Sequence, residues 1–342
     1  MFIRKKLLLN ILILVAFVLA TMNVSCAPVE EEKEALKVTM VVSGGLGDRS
    51  FFDSGAAGLK KAEEELGVET QILECKLDPS AYYDHTLAAA ENNDLVFIIG
   101  FQMADQLVEI APKYPDTQFV YIDGIIEGIE NVTSIDYLEN EGSYVVGAMA
   151  AMATTRTEIP GINEEKIIGL VGGMDIPVIH NFVVGFEQGA RDIDPGVKVE
   201  VVYTGSFEDP AKGKEATLAI IDKGADIVFQ VAGKTGEGII EACKEKGVYV
   251  IGVDSDQGWL APGTVIESMM KEVGMSIYET IKKFQDGTYE KGAVYSYGVK
   301  EDGVGPTFSD EYAKILPQEI IDKMREIEQK IISGEIVVEE AK

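Results

Sequence analysis

The chain has 342 residues, 46% of them hydrophobic, and a formal net charge of −28 at pH 7. That length is sufficient for two ordinary hydrophobic cores. A surface this acidic repels phosphate backbones, which argues against a nucleic-acid polymer as partner. With only two histidines and no CxxC pair, the chain offers no zinc cluster either, so we expect no metal and no cofactor.

The N-terminus has the order of an export signal. Basic residues at positions 4–6 precede an apolar run over 7–20, and small residues then lead to Cys26. This resembles a bacterial lipoprotein signal, although Asn23 stands where such signals usually carry leucine. We expect residues 1–26 to be the signal, with Cys26 lipidated, and residues 27–36 to be an acidic tether. A plain secretory signal or an uncleaved anchor remains the alternative.

Residues 37–66, which follow the predicted tether, are predicted to form a strand, a loop and a helix. Lys37–Val42 is short, apolar and β-branched, and a glycine turn follows it. Asp48, Phe51, Phe52 and Asp53 come next, and helical spacing of apolar residues then continues to position 66. Ligands of parallel α/β sheets bind at the carboxyl ends of the strands, which is where this loop falls.

The same unit recurs along the chain. Strands are predicted at 37–42, 70–74, 95–99, 118–122 and 132–137, and again at 166–171, 197–203, 227–230, 248–252 and 263–270, with helices between them. This alternation predicts an α/β protein of two doubly wound, Rossmann-like domains with a ligand cleft between them. We assign residues 37–155 to the N-terminal domain, with a return segment at about 272–300, and residues 156–271 to the C-terminal domain. Residues 301–342 are a C-terminal extension with a closing helix.

The loops that follow the predicted strands carry the candidate binding residues. They are Asp48, Phe51, Phe52, Asp53, Phe101, Asp105, Tyr137, Phe207, Asp209, Gly233–Gly236, Asp254, Asp256 and Lys271. Aromatic rings from both halves can stack on a flat ring, and carboxylates accept hydrogen bonds from N–H and O–H groups. Any one acid is also explained as a helix cap, Asp53 in particular, so it is the convergence of the set that indicates a binding site.

Other functional motifs are incomplete. The segment from Gly45 to Ser50 lacks the third glycine of a dinucleotide turn, and Val228 stands where a P-loop ending at Gly233-Lys234-Thr235 needs its first glycine. Neither His85 nor His180 has a serine or cysteine nucleophile beside it in a recognisable motif. Nothing therefore specifies an enzymatic reaction.

An ordered series of motifs resembles one family, the purine nucleoside receptor A-like (basic membrane lipoprotein) substrate-binding proteins of ABC importers. The series is GDRSFFDSGAAGLKKA, GFQMADQLVEIAPKYPDTQFVYID, YLENEGSYVVGAMAAM, VGGMDIPVIHNFVVGFEQGA, TGSFEDPAKGKE, FQVAGKTGEG and IGVDSDQ, followed by the turn at Lys271. The resemblance covers residues 37–298 and implies the type I periplasmic-binding-protein fold.

The resemblance also implies residue roles. Phe51 and Phe207 would sandwich a nucleobase, and Asp48 and Asp105 would bind its polar edge. The ribose hydroxyls would be held by Asp254 and Lys271, beside the backbone of Gly233. One position departs from the family pattern: relatives usually carry asparagine where this chain has Phe52. Phenylalanine neither donates nor accepts a hydrogen bond, so Asp53 takes over that role or the base preference differs.

The expected function is that of an extracytoplasmic, lipid-anchored, monomeric binding protein. It would not be an enzyme; it would deliver a nucleoside, of purine type in our preferred interpretation, to an ABC permease and its ATPase. Riboflavin or another flat heterocycle is an alternative ligand for the same cleft. Two alternatives change the function: a nucleoside hydrolase using Asp254 and Asp256, or a sensory receptor of the same fold.

Overall fold

The computed structural model describes residues 35–341; the predicted signal, Cys26 and most of the tether lie outside the described residues. The described chain forms two six-stranded sheets. The first contains, from edge to edge, β2 (Glu69–Glu74), β1 (Lys37–Val42), β3 (Leu95–Ile99), β4 (Gln118–Ile122), β5 (Val132–Tyr137) and β11 (Val294–Tyr297), all parallel. The second contains β7 (Lys198–Tyr203), β6 (Ile167–Gly172), β8 (Ala225–Val231), β9 (Tyr249–Asp254), β10 (Val265–Lys271) and the antiparallel β12 (Val304–Pro306).

The helices alternate with these strands. They are α1 (Phe51–Leu66), α2 (Pro79–Asn92), α3 (Ala104–Ile110), α4 (Glu139–Thr154), α5 (Pro177–Ile193), α6 (Pro210–Ile221), α7 (Gly236–Lys246), α8 (Val273–Asp286) and α9 (Gln318–Ile332). Strands β3, β4, β8 and β9 are buried along their whole length, as expected where helices cover both faces of a parallel sheet. The predicted α/β class is confirmed.

Helix α4 follows the first sheet in the chain but packs against the second. Its partner is α5, and the two backbones touch: a side chain at Gly147 would overlap the carbonyl of Phe186, and one at Gly185 the carbonyl of Asn140. This close approach explains why α4 is rich in glycine and alanine. We call the first sheet with α1–α3 and α8 the first lobe, and the second sheet with α4–α7 the second lobe.

Within residues 35–341 the chain crosses between the sheets three times, after β5, after β10 and after β11. The third crossing was not predicted, because β11 and β12 are short strands whose residues show no strong apolar alternation. These crossings are the hinge, and Lys271, at the end of β10, lines the space between the lobes. Among the helices of residues 35–341, none combines the length and the hydropathy that a membrane span requires.

Candidate ligand-binding site

A cavity of about 210 Å³ lies between the carboxyl edges of the two sheets. Nine of the candidate binding residues line it: Asp48, Phe51, Phe52, Phe101, Phe207, Gly233, Lys234, Asp254 and Lys271. They come from loops of both lobes that follow the carboxyl ends of parallel strands, and those ends lie along one edge of each sheet. The cavity occupies the place that the sequence predicted for a ligand.

Asp105 and Asp53, both predicted to bind the ligand, lie away from the cavity. Asp105, in the first turn of α3, is exposed, and the cavity wall at this point is made by Phe101 and Gln102 instead. The Asp53 carboxylate accepts hydrogen bonds from the backbone N–H groups of Gly47 (2.8 Å) and Arg49 (2.9 Å). Asp53 therefore has a structural partner in its own loop and contributes nothing to the wall.

Asp48 holds the start of α1. Its carboxylate accepts from the backbone N–H groups of Ser50 (3.1 Å), Phe52 (2.9 Å) and Asp53 (3.0 Å). These bonds satisfy donors that the first turn of a helix leaves without an intrahelical partner. Burial raises the pKa of Asp48 to about 7, although the same three N–H groups act to lower it.

The cavity wall contains aromatic rings from both lobes. Phe51 and Phe52 lie side by side, with ring centroids 5.5 Å apart and planes inclined at 56°. Phe207 packs directly on the backbone of Gly173, where any side chain would overlap its ring. Phe182 of α5 also lines the cavity and was missed from the sequence because it lies inside a helix, where its spacing indicates core packing.

Lys271 is the centre of a buried ionic cluster at the hinge. Its ammonium donates to Asp123, at the end of β4, and to Glu139 (2.8 Å), at the start of α4. Only 2% of Lys271 and 1% of Glu139 is exposed to solvent. The ammonium also lies 5.2 Å from the ring centroid of Phe51 and 5.0 Å from that of Tyr137, close enough for cation–π attraction. Neither Asp123 nor Glu139 was predicted from the sequence.

The pKa values in this cluster are displaced by burial and charge in opposite directions. Burial lowers the pKa of Lys271, but attraction to Asp123, Glu139 and Asp254 outweighs that effect and raises it. Burial raises the pKa of Glu139 to about 8 and that of Asp254 to about 6, in both cases against the attraction of Lys271.

Asp123 and Asp254 occupy corresponding places in the two lobes. Asp123 directly follows β4 in the first sheet, and Asp254 is the last residue of β9 in the second. Each of these strands lies beside the strand from which the chain crosses to the other lobe. Both residues have a positive φ, 73° for Asp123 and 64° for Asp254. Aspartate tolerates this left-handed conformation better than most residues. The backbone therefore turns sharply at both strand ends and presents both carboxylates to the space around Lys271.

The loop before α1 also bridges the lobes. The Ser50 hydroxyl donates to Asp254, and the Arg49 carbonyl accepts from Ser255 Oγ (2.9 Å) and Gln257 Nε2 (3.0 Å). The Arg49 side chain pairs with Glu237 at 3.3 Å and lies 5.5 Å from the ring centroid of Trp259.

The remaining candidates have partners outside the cavity. Asp209 caps α6 by accepting from the backbone of Ala211 (3.1 Å) and Lys212 (3.3 Å). Asp256 accepts from the Tyr312 hydroxyl at 2.5 Å, and His180 Nε2 pairs with Asp175 at 2.5 Å. None of these groups lines the cavity.

Comparison with known proteins identifies the family. The family model for PnrA-like ABC transporter substrate-binding proteins (Bmp) matches residues 35–342. The chain belongs to that family. Basic membrane protein D of Borreliella burgdorferi is 32% identical over 94% of this chain and 93% of its own. The ABC transporter nucleoside-binding protein BmpA of Lactococcus lactis is 31% identical over 90% of each chain.

A solved structure supports the fold of this PnrA-like protein. The crystal structure of an ABC transporter solute-binding protein from Aeropyrum pernix K1 superimposes with a TM-score of 0.80, at 29% identity, over 90% of this chain and 94% of that one. The type I periplasmic-binding-protein fold is thereby confirmed, as is the family resemblance. The chain is a substrate-binding protein of an ABC transporter, as its relatives are.

Proposed function

We propose that this PnrA-like protein binds a nucleoside, of purine type, between its lobes and delivers it to an ABC permease. The observation that supports this most directly is the two-part chemistry of the cavity. Aromatic rings of both lobes form one part of its wall, and the buried charges of Asp254 and Lys271 form another. A nucleoside has the matching halves, a flat heterocycle and a sugar with neighbouring hydroxyl groups. One relative, from Lactococcus lactis, is named as a nucleoside-binding protein.

The free hydrogen-bonding capacity at the hinge suits a pair of neighbouring hydroxyl groups. The Lys271 ammonium has three N–H donors, and Asp123 and Glu139 accept two of them. One carboxylate oxygen of Asp254 accepts from Ser50, which leaves the other for a ligand. In the proposed complex one ribose hydroxyl accepts from Lys271 and its neighbour donates to Asp254, with the Gly233 backbone beside them and Phe51 and Phe207 on the base.

The proposal has no catalytic step. The hydrolase alternative needs a second acid at the sugar, and Asp256 faces Tyr312 instead of the cavity. Export and lipidation at Cys26 are part of the proposal and place the protein on the outer side of the cell membrane, as a monomer beside its permease. Ligand capture then proceeds by closure of the two lobes about the hinge, as in other two-lobed binding proteins.

A thermal-shift screen tests the ligand. The protein is first unfolded and refolded to remove carried-over ligand, then heated with purine and pyrimidine nucleosides, 2′-deoxynucleosides, free bases, ribose and riboflavin. A ligand at about 100 times its dissociation constant adds roughly 2.7 kcal/mol to the free energy of unfolding, a shift of several degrees. We expect ribonucleosides to stabilise the protein more than 2′-deoxynucleosides, and free bases or ribose to have little effect.

The other outcomes are equally informative. Stabilisation by riboflavin alone contradicts the nucleoside and leaves the transport role, whereas release of free base from inosine at enzymic turnover contradicts the binding role itself. No shift with any compound contradicts the proposed site.

A further inference from the structure

Two polar side chains meet on the first-lobe wall of the cavity at Gly100. Ser43 follows β1, Gly100 follows β3, and Gln102 lies two residues later; all three line the cavity. Gly100 has a φ of 127°, and a Cβ there would overlap the Ser43 hydroxyl and lie 3.1 Å from Gln102 Oε1. The Ser43 hydroxyl therefore occupies the space that a side chain at Gly100 would take, with the Gln102 amide oxygen beside it. We call Ser43, Gly100 and Gln102 the polar notch.

Neither side chain of the notch has a hydrogen-bond partner among residues 35–341. Gln102 Oε1 is buried and unpaired. Ser43 is 1% exposed, and no side-chain hydrogen bond is formed by its hydroxyl within the described chain. A buried polar group without a partner costs about 1–3 kcal/mol, so the unpaired Gln102 amide oxygen, beside a Ser43 hydroxyl that is also on the cavity wall, indicates that a ligand supplies the missing bond.

The neighbouring polar groups are already occupied. Three backbone N–H groups bind the Asp48 carboxylate, and Asp53 binds the backbone of its own loop. Phe52 contributes only a ring, which packs against Gly44. On this wall the neutral polar side chains that line the cavity are therefore those of the notch.

The geometry points to a specificity site: we propose that Ser43 and Gln102 bind the hydrogen-bonding edge of the ligand's ring. A primary amide has one donor group and one acceptor side by side, which matches a ring edge with adjacent N–H and C=O groups, as in a cyclic lactam. The Ser43 hydroxyl can form a third hydrogen bond with the ligand, either as donor or as acceptor. This inference rests on the proposed function, which it deepens by assigning the class of heterocycle that the site selects.

The test compares two nucleosides that differ only at that edge. Inosine carries the lactam N–H and C=O, whereas purine riboside has the same sugar and ring system without them. For the refolded protein measured by calorimetric titration, Gln102→Leu is expected to weaken inosine binding roughly tenfold and to change purine riboside binding by less than about twofold. Ser43→Ala is expected to weaken inosine binding several-fold with the same selectivity.

A matched control lies one helical turn away. Gln106 also has a buried, unpaired Oε1 but does not line the cavity, so Gln106→Leu should leave both affinities unchanged. Removing an unpaired amide should not lower the thermal unfolding midpoint of the ligand-free protein, and this measurement separates a binding role of Gln102 from a structural one. If Gln102→Leu does not fold, the selectivity of Ser43→Ala decides.

The possible failures are distinct. Equal inosine affinity in the wild type and in both notch variants overturns the notch and leaves the proposed function standing. A wild type that binds riboflavin but no nucleoside overturns the proposed ligand, and the same variants then decide the notch, since riboflavin also carries a lactam edge. A wild type that binds adenosine but no lactam-bearing ring overturns the notch and leaves the proposed function standing, and a wild type that binds no nucleoside and no lactam-bearing ring overturns both.

Discussion

The two sides of the cavity differ in their hydrogen bonding. At the hinge the charged side chains bind one another, whereas the neutral side chains of the polar notch have no partner within the described chain. Lys271 donates to Asp123 and Glu139, and Asp254 accepts from Ser50. The side chains of Ser43 and Gln102, by contrast, have no hydrogen-bond partner among residues 35–341, although the Ser43 backbone is bonded to Ile99 and Leu77. An unpaired buried charge costs several kcal/mol, far more than an unpaired hydroxyl or amide. A binding protein can therefore leave neutral groups open for its ligand but must pair its buried charges within the chain.

The largest effect is expected from removing Lys271, the cation at the centre of the hinge cluster. Lys271→Met leaves the carboxylates of Asp123 and Asp254 without their counter-charge, and we expect the free energy of unfolding to fall by about 3–5 kcal/mol. Urea denaturation near neutral pH measures the loss, and the thermal midpoint should fall on the order of 10 °C. Lys244→Met, at an exposed position on α7, is the control and should have almost no effect. A Lys271→Met protein as stable as the wild type would show that the cluster is not needed for folding.

A smaller effect should appear in the pH dependence of stability, since the paired side contains titrating groups. The pKa of Glu139 is raised from 4.5 to about 8, so the native state binds a proton that the unfolded chain has already released. The free energy of unfolding should therefore decrease as pH rises from about 5 to about 8. In Glu139→Gln this decrease should be smaller by up to about 3 kcal/mol, because each pH unit in that range contributes about 1.4 kcal/mol, and urea denaturation across the range measures it.

The other charges around Glu139 are Lys271 of β10, Asp123 after β4 and Asp136 of β5, and all three remain in the Glu139→Gln protein. Glu215→Gln, at an exposed position on α6, is the control and should reproduce the wild-type curve. A Glu139→Gln curve parallel to that of the wild type would show that Glu139 stays ionised throughout the range.

The smallest effect is expected at the exposed bridge between the lobes. The Arg49–Glu237 pair is partly open to solvent, with 47% and 32% of the two side chains exposed, and such pairs contribute little. Arg49→Ala should weaken ligand binding by about two- to threefold and reduce the ligand-induced change in Trp259 fluorescence. Trp259 is the single tryptophan of the chain, which makes the signal specific.

The control for the bridge is Lys61→Ala. Lys61 lies 4.4 Å from the ring centroid of Tyr278, and both residues belong to the first lobe, so closure does not depend on their contact. A loss of affinity in Lys61→Ala equal to that in Arg49→Ala would contradict a specific role of the bridge.

Much of the fold was predictable from local pattern. Lys37–Val42, Leu95–Ile99 and Gln118–Ile122 are strands with the predicted bounds, because buried parallel strands read as short, continuous apolar runs. Strands β11 and β12 were missed. Their position is set by pairing with β5 and β10, and four or three residues carry too little periodicity to predict it.

The sequence by itself determined the fold class, the family and most of the residues around the cavity, because strand-ending loops of a parallel sheet face one edge wherever they occur in the chain. Only the tertiary structure decided which polar groups are free. In the folded chain, Asp53 accepts from the backbone of its own loop and Asp256 accepts from Tyr312, so neither lines the cavity. Asp123 and Glu139, which are 148 and 132 residues from Lys271 in sequence, contact its ammonium. Hydrogen-bond partners at such separations depend on how two lobes meet at a hinge, and local sequence does not encode that geometry. The unpaired state of Ser43 and Gln102 was invisible in the sequence for the same reason.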